Sequence, residues 1–241
     1  MEKQTAFITG ANKGIGLETA RQLAQAGYHI FVGSRDKRNG DSAVAQLHAE
    51  GLTDVELLLI DVTDERSVQQ AHDDLAKRTD RLDVLVNNAG IPGTLPQAPS
   101  TAADDNLKQV FEVNFFGAIR TVRIFMDLLK KAPLPRIVNV TSDLASLTLH
   151  NDPQWEFYPF KTAAYGPSKT ALNAYTVALA FELKDTFKVN AVNPGYTNTE
   201  FNGNQGYKKV ADAAAPIVRY AMLNADGPTG KFVSDYGETP W

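Results

Sequence analysis

The sequence predicts a single doubly wound α/β domain on a parallel sheet of about seven strands. Three observations carry that expectation. Short β-prone runs at 5–9, 29–33, 55–60, 82–86, 136–141, 187–192 and 230–234 alternate with helix-spaced stretches. The run at 55–60 is apolar but for Glu56, as suits a strand buried in a parallel sheet. A glycine-rich turn joins the first strand to the first helix. No repeat, linker or low-complexity segment interrupts the pattern, so one unit, 1–241, accounts for the chain.

Composition narrows the function classes. The chain has 241 residues, 43% hydrophobic and 22% charged, which is ordinary for a globule with a sizeable core. A net charge of −4 gives no basic surplus for nucleic acid. The absence of cysteine excludes disulfides, thiolate metal sites and cysteine nucleophiles. His29, His48, His72 and His150 show no metal-ligand spacing, so no metal is expected. Residues 1–4 enter the first strand without the apolar stretch of a signal peptide. No apolar run approaches the roughly 20 residues that span a bilayer. A cytoplasmic protein without a membrane partner is therefore expected.

The first turn reads Gly10-Ala11-Asn12-Lys13-Gly14-Ile15-Gly16, between a strand at 5–9 and a helix at 17–26, with a second strand at 29–33. In a Rossmann-type βαβ unit, Gly10 and Gly14 let the backbone bend and approach a pyrophosphate, and Gly16 lets helix and strand pack closely. The helix N-terminus then offers N–H groups and a positive dipole end to the phosphates. The second strand ends Gly33-Ser34-Arg35-Asp36. Ser34 stands where an acid about 20 residues past the glycines would bind a ribose 2′-OH. Lys13 and Arg35 suit a 2′-phosphate instead. NADPH (NADP+) is thus expected over NADH, unless Asp36 turns inward to a ribose hydroxyl. A merely tight turn and two solvated charges are the plain alternatives.

A helix is expected at 41–51. Asp61, followed by Val62, sits just past the strand at 55–60, and serves either an adenine amino group or the cap of the next helix, with Asp64 competing for the cap. A polar helix follows at 65–81. Asn87-Asn88-Ala89-Gly90 follows the fourth strand, as in a turn passing close under a ligand. Residues 92–103 read as a loop. One long helix is expected at 104–129, with Asn114 between apolar neighbours. That local conflict marks either a functional position or a buried amide bonded to backbone. Thr141-Ser142 end the fifth strand on the carboxyl side of the sheet. Residues 146–162 are irregular and aromatic, with Trp155, Phe157, Tyr158 and Phe160 close together. A helix at 163–184 carries Tyr165-Gly166-Pro167-Ser168-Lys169. Its phenol and amine lie on one face, a turn apart, where an ammonium would lower the tyrosine's pKa from about 10. Y-x-x-x-K alone recurs by chance. The sixth strand is followed by Asn193-Pro194-Gly195-Tyr196-Thr197-Asn198-Thr199, a flexible stretch at 200–209, a helix at 210–223, and a tail at 235–241.

Together these motifs resemble the short-chain dehydrogenase/reductase family over nearly the full length, in its compact one-domain branch. Thr9 to Gly16 meets T-G-x-x-x-G-I-G, and 87–90 is the N-N-A-G turn. The family's catalytic asparagine, serine, tyrosine and lysine fall on Asn114, Ser142, Tyr165 and Lys169. Its P-G motif is Pro194-Gly195, with Thr199 matching a later threonine. The Asn-Lys-Gly loop and the Arg after the second strand look most like NADPH-dependent carbonyl reductases.

The resemblance implies reversible reduction of a ketone or aldehyde to an alcohol. In it Tyr165 is the general acid and Lys169 lowers its pKa and bonds the nicotinamide ribose. Ser142 polarises the carbonyl, and Asn114 holds a water that relays protons. It also implies dinucleotide contacts from Asn12, Ile15, Asp61, Val62, Asn88, Ala89, Gly90, Pro194, Gly195, Thr197 and Thr199. Three departures stand out. Ser142 and Tyr165 are further apart than in most members, Pro167 sits between tyrosine and lysine, and Thr197 replaces the usual valine. The extra length at 146–162 gives two open readings. Trp155, Phe157, Tyr158 and Phe160 roof an apolar pocket for a small-molecule carbonyl beside Tyr196 and Phe201, or the aromatics simply pack the insert onto the body. An insert that obstructs helix-mediated dimerisation, as in monomeric carbonyl reductases, leans the expectation to a monomer. The competing function classes are a non-catalytic NADPH-binding regulator and an NAD-dependent alcohol dehydrogenase.

Overall fold

Strand side chains alternate between two apolar layers, and that alternation builds the architecture. The structure, a computed structural model, describes residues 3–241; Met1 and Glu2 of the expected 1–241 unit lie outside the described residues. In chain order the sheet strands are β1 (Thr5–Ile8), β2 (His29–Ser34), β3 (Val55–Leu59), β4 (Val84–Asn87), β5 (Arg136–Val140), β6 (Lys188–Val192), β7 (Phe232–Ser234) and β8 (Gly237–Glu238). The helices are α1 (Gly14–Gln25), α2 (Lys37–Ala49), α3 (Glu65–Ala76), α4 (Asp104–Phe111), α5 (Gly117–Leu129), α6 (Leu147–His150), α7 (Tyr165–Glu182) and α8 (Val210–Ala221). Ala6, Ile8, Ile30, Val32, Val84 and Val86 point into one layer with α1, α2 and α8. Phe7, Phe31, Leu85 and Ile137 point into the other with α3, α5 and α7. Both faces of the sheet are thus buried, which a parallel sheet needs.

The strand order is β3-β2-β1-β4-β5-β6-β7-β8. The first seven strands pair in parallel, and β8 pairs antiparallel with β7. The order of strand addition reverses at β1 and β4, so the crevice at their carboxyl ends is the switch point where ligands bind in such sheets.

Four expectations are corrected. The helix expected at 41–51 begins at Lys37, because the Asp36 carboxylate accepts from Asn39 N at 2.7 Å and caps it. The long helix at 104–129 is broken by a π-helical turn, Glu112–Phe116, centred on Asn114. The tail at 235–241 holds β8, an eighth strand, and Thr239 N returns to Phe232 O at 2.8 Å. The stretch expected to be flexible at 200–209 contains a 3₁₀ turn, Glu200–Asn202, capped by Thr199 and Asn202 reciprocally. No helix among the described residues is long and apolar enough to cross a membrane.

Candidate active site

The floor of the crevice is made where two turns touch. Gly10 adopts φ +63°, and a Cβ there would come within 2.9 Å of Ala89 Cα. A Cβ on Gly16 would lie 2.4 Å from Asn88 Nδ2 and 2.6 Å from Gly10 O. Only glycine fits either position. Asn88 Nδ2 donates to Thr9 O at 2.9 Å and Gly10 O at 3.0 Å, while the Thr9 hydroxyl accepts from Asn88 N and Ala89 N, each at 3.0 Å. The turns after β1 and β4 are therefore one hydrogen-bonded unit. Thr9, read only as part of a motif, is its hub.

Above that floor α1 begins at Gly14 with Lys13 before it, and no side chain caps it. Its first N–H groups thus have no cap side chain for a partner, as an anion site at a helix start needs. Asn12 and Ile15 flank this end half-buried, with Ile15 packed on the core. Ser34 is buried and donates to Asp36 O at 2.8 Å. Arg35 is exposed beside it. Lys13 does not join Arg35 through a shared partner: its ammonium pairs with Glu200 at 2.6 Å, across the mouth of the crevice. Asp36 is committed to capping α2. Asp61 accepts from Thr63 N at 2.9 Å and Thr63 Oγ1 at 2.7 Å, while Asp64 caps α3. Of the two uses left open for Asp61, the helix cap is therefore taken by its competitor. Val62 is buried, and its carbonyl accepts from Arg120.

The helix carrying Tyr165 starts at that residue, so Pro167 falls in the first turn, where a missing N–H costs nothing. Lys169 Nζ is buried and donates to Val140 O at 2.7 Å, at the end of β5. Ser142 follows that strand end, and its Oγ accepts from Leu144 N at 3.2 Å. Burial pushes the half-buried Tyr165 phenol up to about 12, and a hydrogen bond with Ser142 pulls it back. Burial pulls the Lys169 ammonium down to about 8. The Lys169 amine is turned to the Val140 carbonyl, and burial disfavours its charge.

Asn114 is buried under the turn after β4. Its Oδ1 accepts from Ile91 N at 2.8 Å, and its Nδ2 donates to Ile91 O and to Ser168 Oγ, each at 3.0 Å. A Cβ on Gly90 would lie 3.3 Å from Asn114 Oδ1 and 3.6 Å from Lys169 Nζ. The missing side chain leaves a gap between amide and amine. Asn114 is thus a buried amide bonded to backbone, and Lys169 Nζ stands across Gly90 from it.

On the far side, the segment after β6 folds over the crevice. Gly195, at φ +79°, follows Pro194 and donates its N–H to Asn193 Oδ1 at 2.9 Å. Thr197 is buried, its hydroxyl donating to Gly195 O at 2.9 Å and its carbonyl accepting from Asn202 at 2.8 Å. Thr199 faces the glycine loop, its Cγ2 3.7 Å from where a Gly14 Cβ would stand. The rings of Phe201 and Tyr165 lie 5.6 Å apart.

The aromatic residues do not form one cluster. His150, Trp155, Phe157, Tyr196 and Tyr207 make an edge-to-face chain with centroids 5.1, 5.6, 5.7 and 5.9 Å apart. Tyr158 stands outside it, with the Lys161 ammonium 4.2 Å over its ring. His150 anchors the insert: Nε2 donates to Leu144 O at 3.1 Å, leaving Nδ1 to accept from Lys161 Nζ at 3.1 Å. Phe157, not Tyr158, is the ring that reaches Tyr196.

Two further groups escaped the motif reading. Asp143, next to Ser142, accepts from Asn193 Nδ2 and from the Tyr236 hydroxyl, each at 2.5 Å. Burial pushes its carboxyl up, against those two hydrogen bonds. Gln97 is buried and bonds the start of α7, from 68 residues away in sequence. A carboxylate at a strand's carboxyl end was a visible signal for Asp143; for Gln97 no local pattern existed.

Comparison with known proteins agrees with this geometry. The family profile for short chain dehydrogenase matches residues 4–209. The chain is 34% identical to a short-chain dehydrogenase, anuI, of Penicillium roqueforti, over 97% of this chain and 94% of that protein. It is 30% identical to a (+)-neomenthol dehydrogenase of Capsicum annuum, over 94% of each chain. Salutaridine reductase from Papaver somniferum superposes with a TM-score of 0.84 at 28% identity, over 97% of this chain and all of that one. The single α/β sheet, the two touching turns after β1 and β4 and these matches have one reading: the chain belongs to the short-chain dehydrogenase family of oxidoreductases.

Proposed function

We propose that the protein reduces a ketone or aldehyde to an alcohol, reversibly, with NADPH as hydride donor. The observation that carries the reading is the meeting of four side chains at one edge of the sheet. Ser142 follows β5, Lys169 bonds the last carbonyl of that strand from the start of α7, which Tyr165 opens, and Asn114 lies across Gly90 from Lys169.

The dinucleotide fits the residues present. Gly10 and Gly16 leave no room for a Cβ at the floor, and the uncapped start of α1 leaves N–H groups for a pyrophosphate. Lys13 and Arg35 would hold a 2′-phosphate beside Ser34; Asp61 and Val62 would border the adenine; and 88–90 with 194–199 would border the nicotinamide half. When bound, the reduced nicotinamide supplies the hydride.

The protein's own groups do the rest. Ser142 donates to the carbonyl oxygen as negative charge builds there. Tyr165 carries its proton at neutral pH, the state reduction requires, and gives it to the alkoxide. An alkoxide is a far stronger base than a phenolate, so the transfer runs downhill even from a raised phenol. Lys169, at about 8, exchanges a proton near neutrality and re-supplies the tyrosine. Asn114 would hold a relaying water in the gap at Gly90. Tyr196 and Phe201 would wall the substrate space, with Trp155 and Phe157 bracing Tyr196 from behind. Tyr158, held to Lys161, has no part in this.

The monomer reading rests on the resemblance alone, since the insert leaves Val177 and Phe181 of α7 exposed. Light scattering tests it.

The deciding experiment follows NADPH and NADH oxidation over a panel of ketones, aldehydes and quinones. Turnover with NADPH, falling about 10²–10⁴-fold in Tyr165→Phe with NADPH binding retained, is expected. Full activity in that variant sinks the assignment. Tight NADPH binding without turnover of any carbonyl would favour a regulator.

A further inference from the structure

The first turn of any helix has N–H groups that need partners from outside it. In α7 these are the amides around Tyr165. No side chain at the cap residue, Ala164, serves them. Pro167 has no N–H, and Gly166 N is met by Thr162 Oγ1 at 2.9 Å. The other two, Ala164 N and Tyr165 N, converge on one distant oxygen, Gln97 Oε1, at 3.2 and 3.1 Å. Gln97 is 3% exposed. Its Nε2 donates to Pro92 O at 2.6 Å, and its own carbonyl accepts from Ala163 N at 2.9 Å. Two N–H groups on one end and a carbonyl on the other fix which end of the amide is oxygen.

These bonds belong to a closed circuit. From Pro92 the chain passes to Ile91, which bonds Asn114 in both directions. Asn114 donates to Ser168 Oγ, and Ser168 Oγ donates to Tyr165 O at 2.7 Å. Tyr165 is therefore gripped at its N–H by Gln97 and at its carbonyl by Ser168. Both grips lead back to the segment 91–97. Backbone held on both sides of one residue fixes where its Cβ points, and so the arc of positions its phenol can reach.

We propose that Gln97 is a positioning residue for the proton donor, setting through the main chain of Tyr165 where its hydroxyl stands in the crevice. The inference rests on the reading of Tyr165 as that donor. Displacements of about 1 Å in a catalytic group cost on the order of 10²-fold in rate. Loss of Gln97 should thus act on turnover and not on the dinucleotide.

The test uses the full chain. Gln97→Met keeps the length of the side chain and removes its hydrogen bonds. Its kcat with a carbonyl that the wild type reduces should fall about 10–100-fold, with the NADPH dissociation constant, read by fluorescence, unchanged. In protein labelled with 3-fluorotyrosine, the ¹⁹F line missing from Tyr165→Phe identifies Tyr165, and Gln97→Met should move that line. If Gln97→Met does not fold, Gln97→Asn, whose amide is one methylene too short to reach, should give the same two changes. A kcat near that of the wild type and an unmoved Tyr165 line, with only a lower melting temperature, would overturn the proposal. Should the wild type turn over no carbonyl, the functional reading fails, and the ¹⁹F line alone decides whether Gln97 positions Tyr165.

Discussion

Phe201 lays its ring against that of Tyr165, centroids 5.6 Å apart and planes at 60°. Its neighbour Glu200 reaches the other way, to Lys13. One short turn thus touches the candidate proton donor and the glycine loop together. Phe201→Ala should raise KM for a bulky apolar carbonyl about 10-fold, as loss of one aromatic wall removes 1–3 kcal/mol of contact. NADPH binding should be unaffected. Steady-state kinetics with a large and a small ketone check this; equal losses for both would mean that Phe201 does not face substrate.

The Lys13–Glu200 pair bears on cofactor choice. Both groups are largely exposed, 64% and 71%, so the pair itself contributes little to stability. It does occupy the charge that a 2′-phosphate would use. Glu200→Gln should tighten NADPH binding about two- to five-fold, more so at low salt, and leave NADH unchanged. Arg35→Asp should weaken NADPH about 10-fold or more by placing an acid where the phosphate would sit. Fluorescence titration with both dinucleotides measures each effect.

Gly16 tests the floor of the crevice. An added Cβ meets Gly10 O at 2.6 Å and Ala11 Cα at 2.9 Å, both backbone atoms. The two turns must part to admit it. Gly16→Ala should cost about 1–3 kcal/mol of stability, the range for overpacking, and remove dinucleotide binding. Thermal melts with and without NADPH would show a lower transition and no ligand-induced rise.

Lys169 makes stability depend on pH. Its folded pKa, about 8, lies below the ordinary lysine value near 10.4. Between those values the unfolded chain binds more protons, so this contribution grows as pH rises from about 8 and is lost as pH falls through it. The deficit below pH 8 is about 3 kcal/mol, less about 1 kcal/mol for the hydrogen bond to Val140. Lys169→Met should therefore be about 2 kcal/mol more stable than wild type at pH 7. That advantage should largely vanish by pH 10, and the variant should be inactive. Urea melts at the two pH values decide; an equal difference at both would mean that Lys169 is not charge-strained.

The sequence by itself determined the parallel sheet and the glycine and asparagine turns at its carboxyl edge, and its family resemblance proposed Asn114, Ser142, Tyr165 and Lys169. The sheet and turns rest on local signals: strand-like runs, helical spacing and glycine at a strand-to-helix turn. The conflict at Asn114 showed locally, but the π-helical break there did not. Tertiary structure alone decided the rest, because it depends on contacts between residues distant along the chain. It turned the Lys169 amine to the Val140 carbonyl. It spent Asp36 on a helix cap and drew Lys13 to Glu200. It divided the aromatic insert, sending Phe157 to Tyr196 and Tyr158 to Lys161. It made the tail a strand whose turn brings Tyr236 to Asp143. And it brought Gln97 to Tyr165, a contact with no trace in either local sequence.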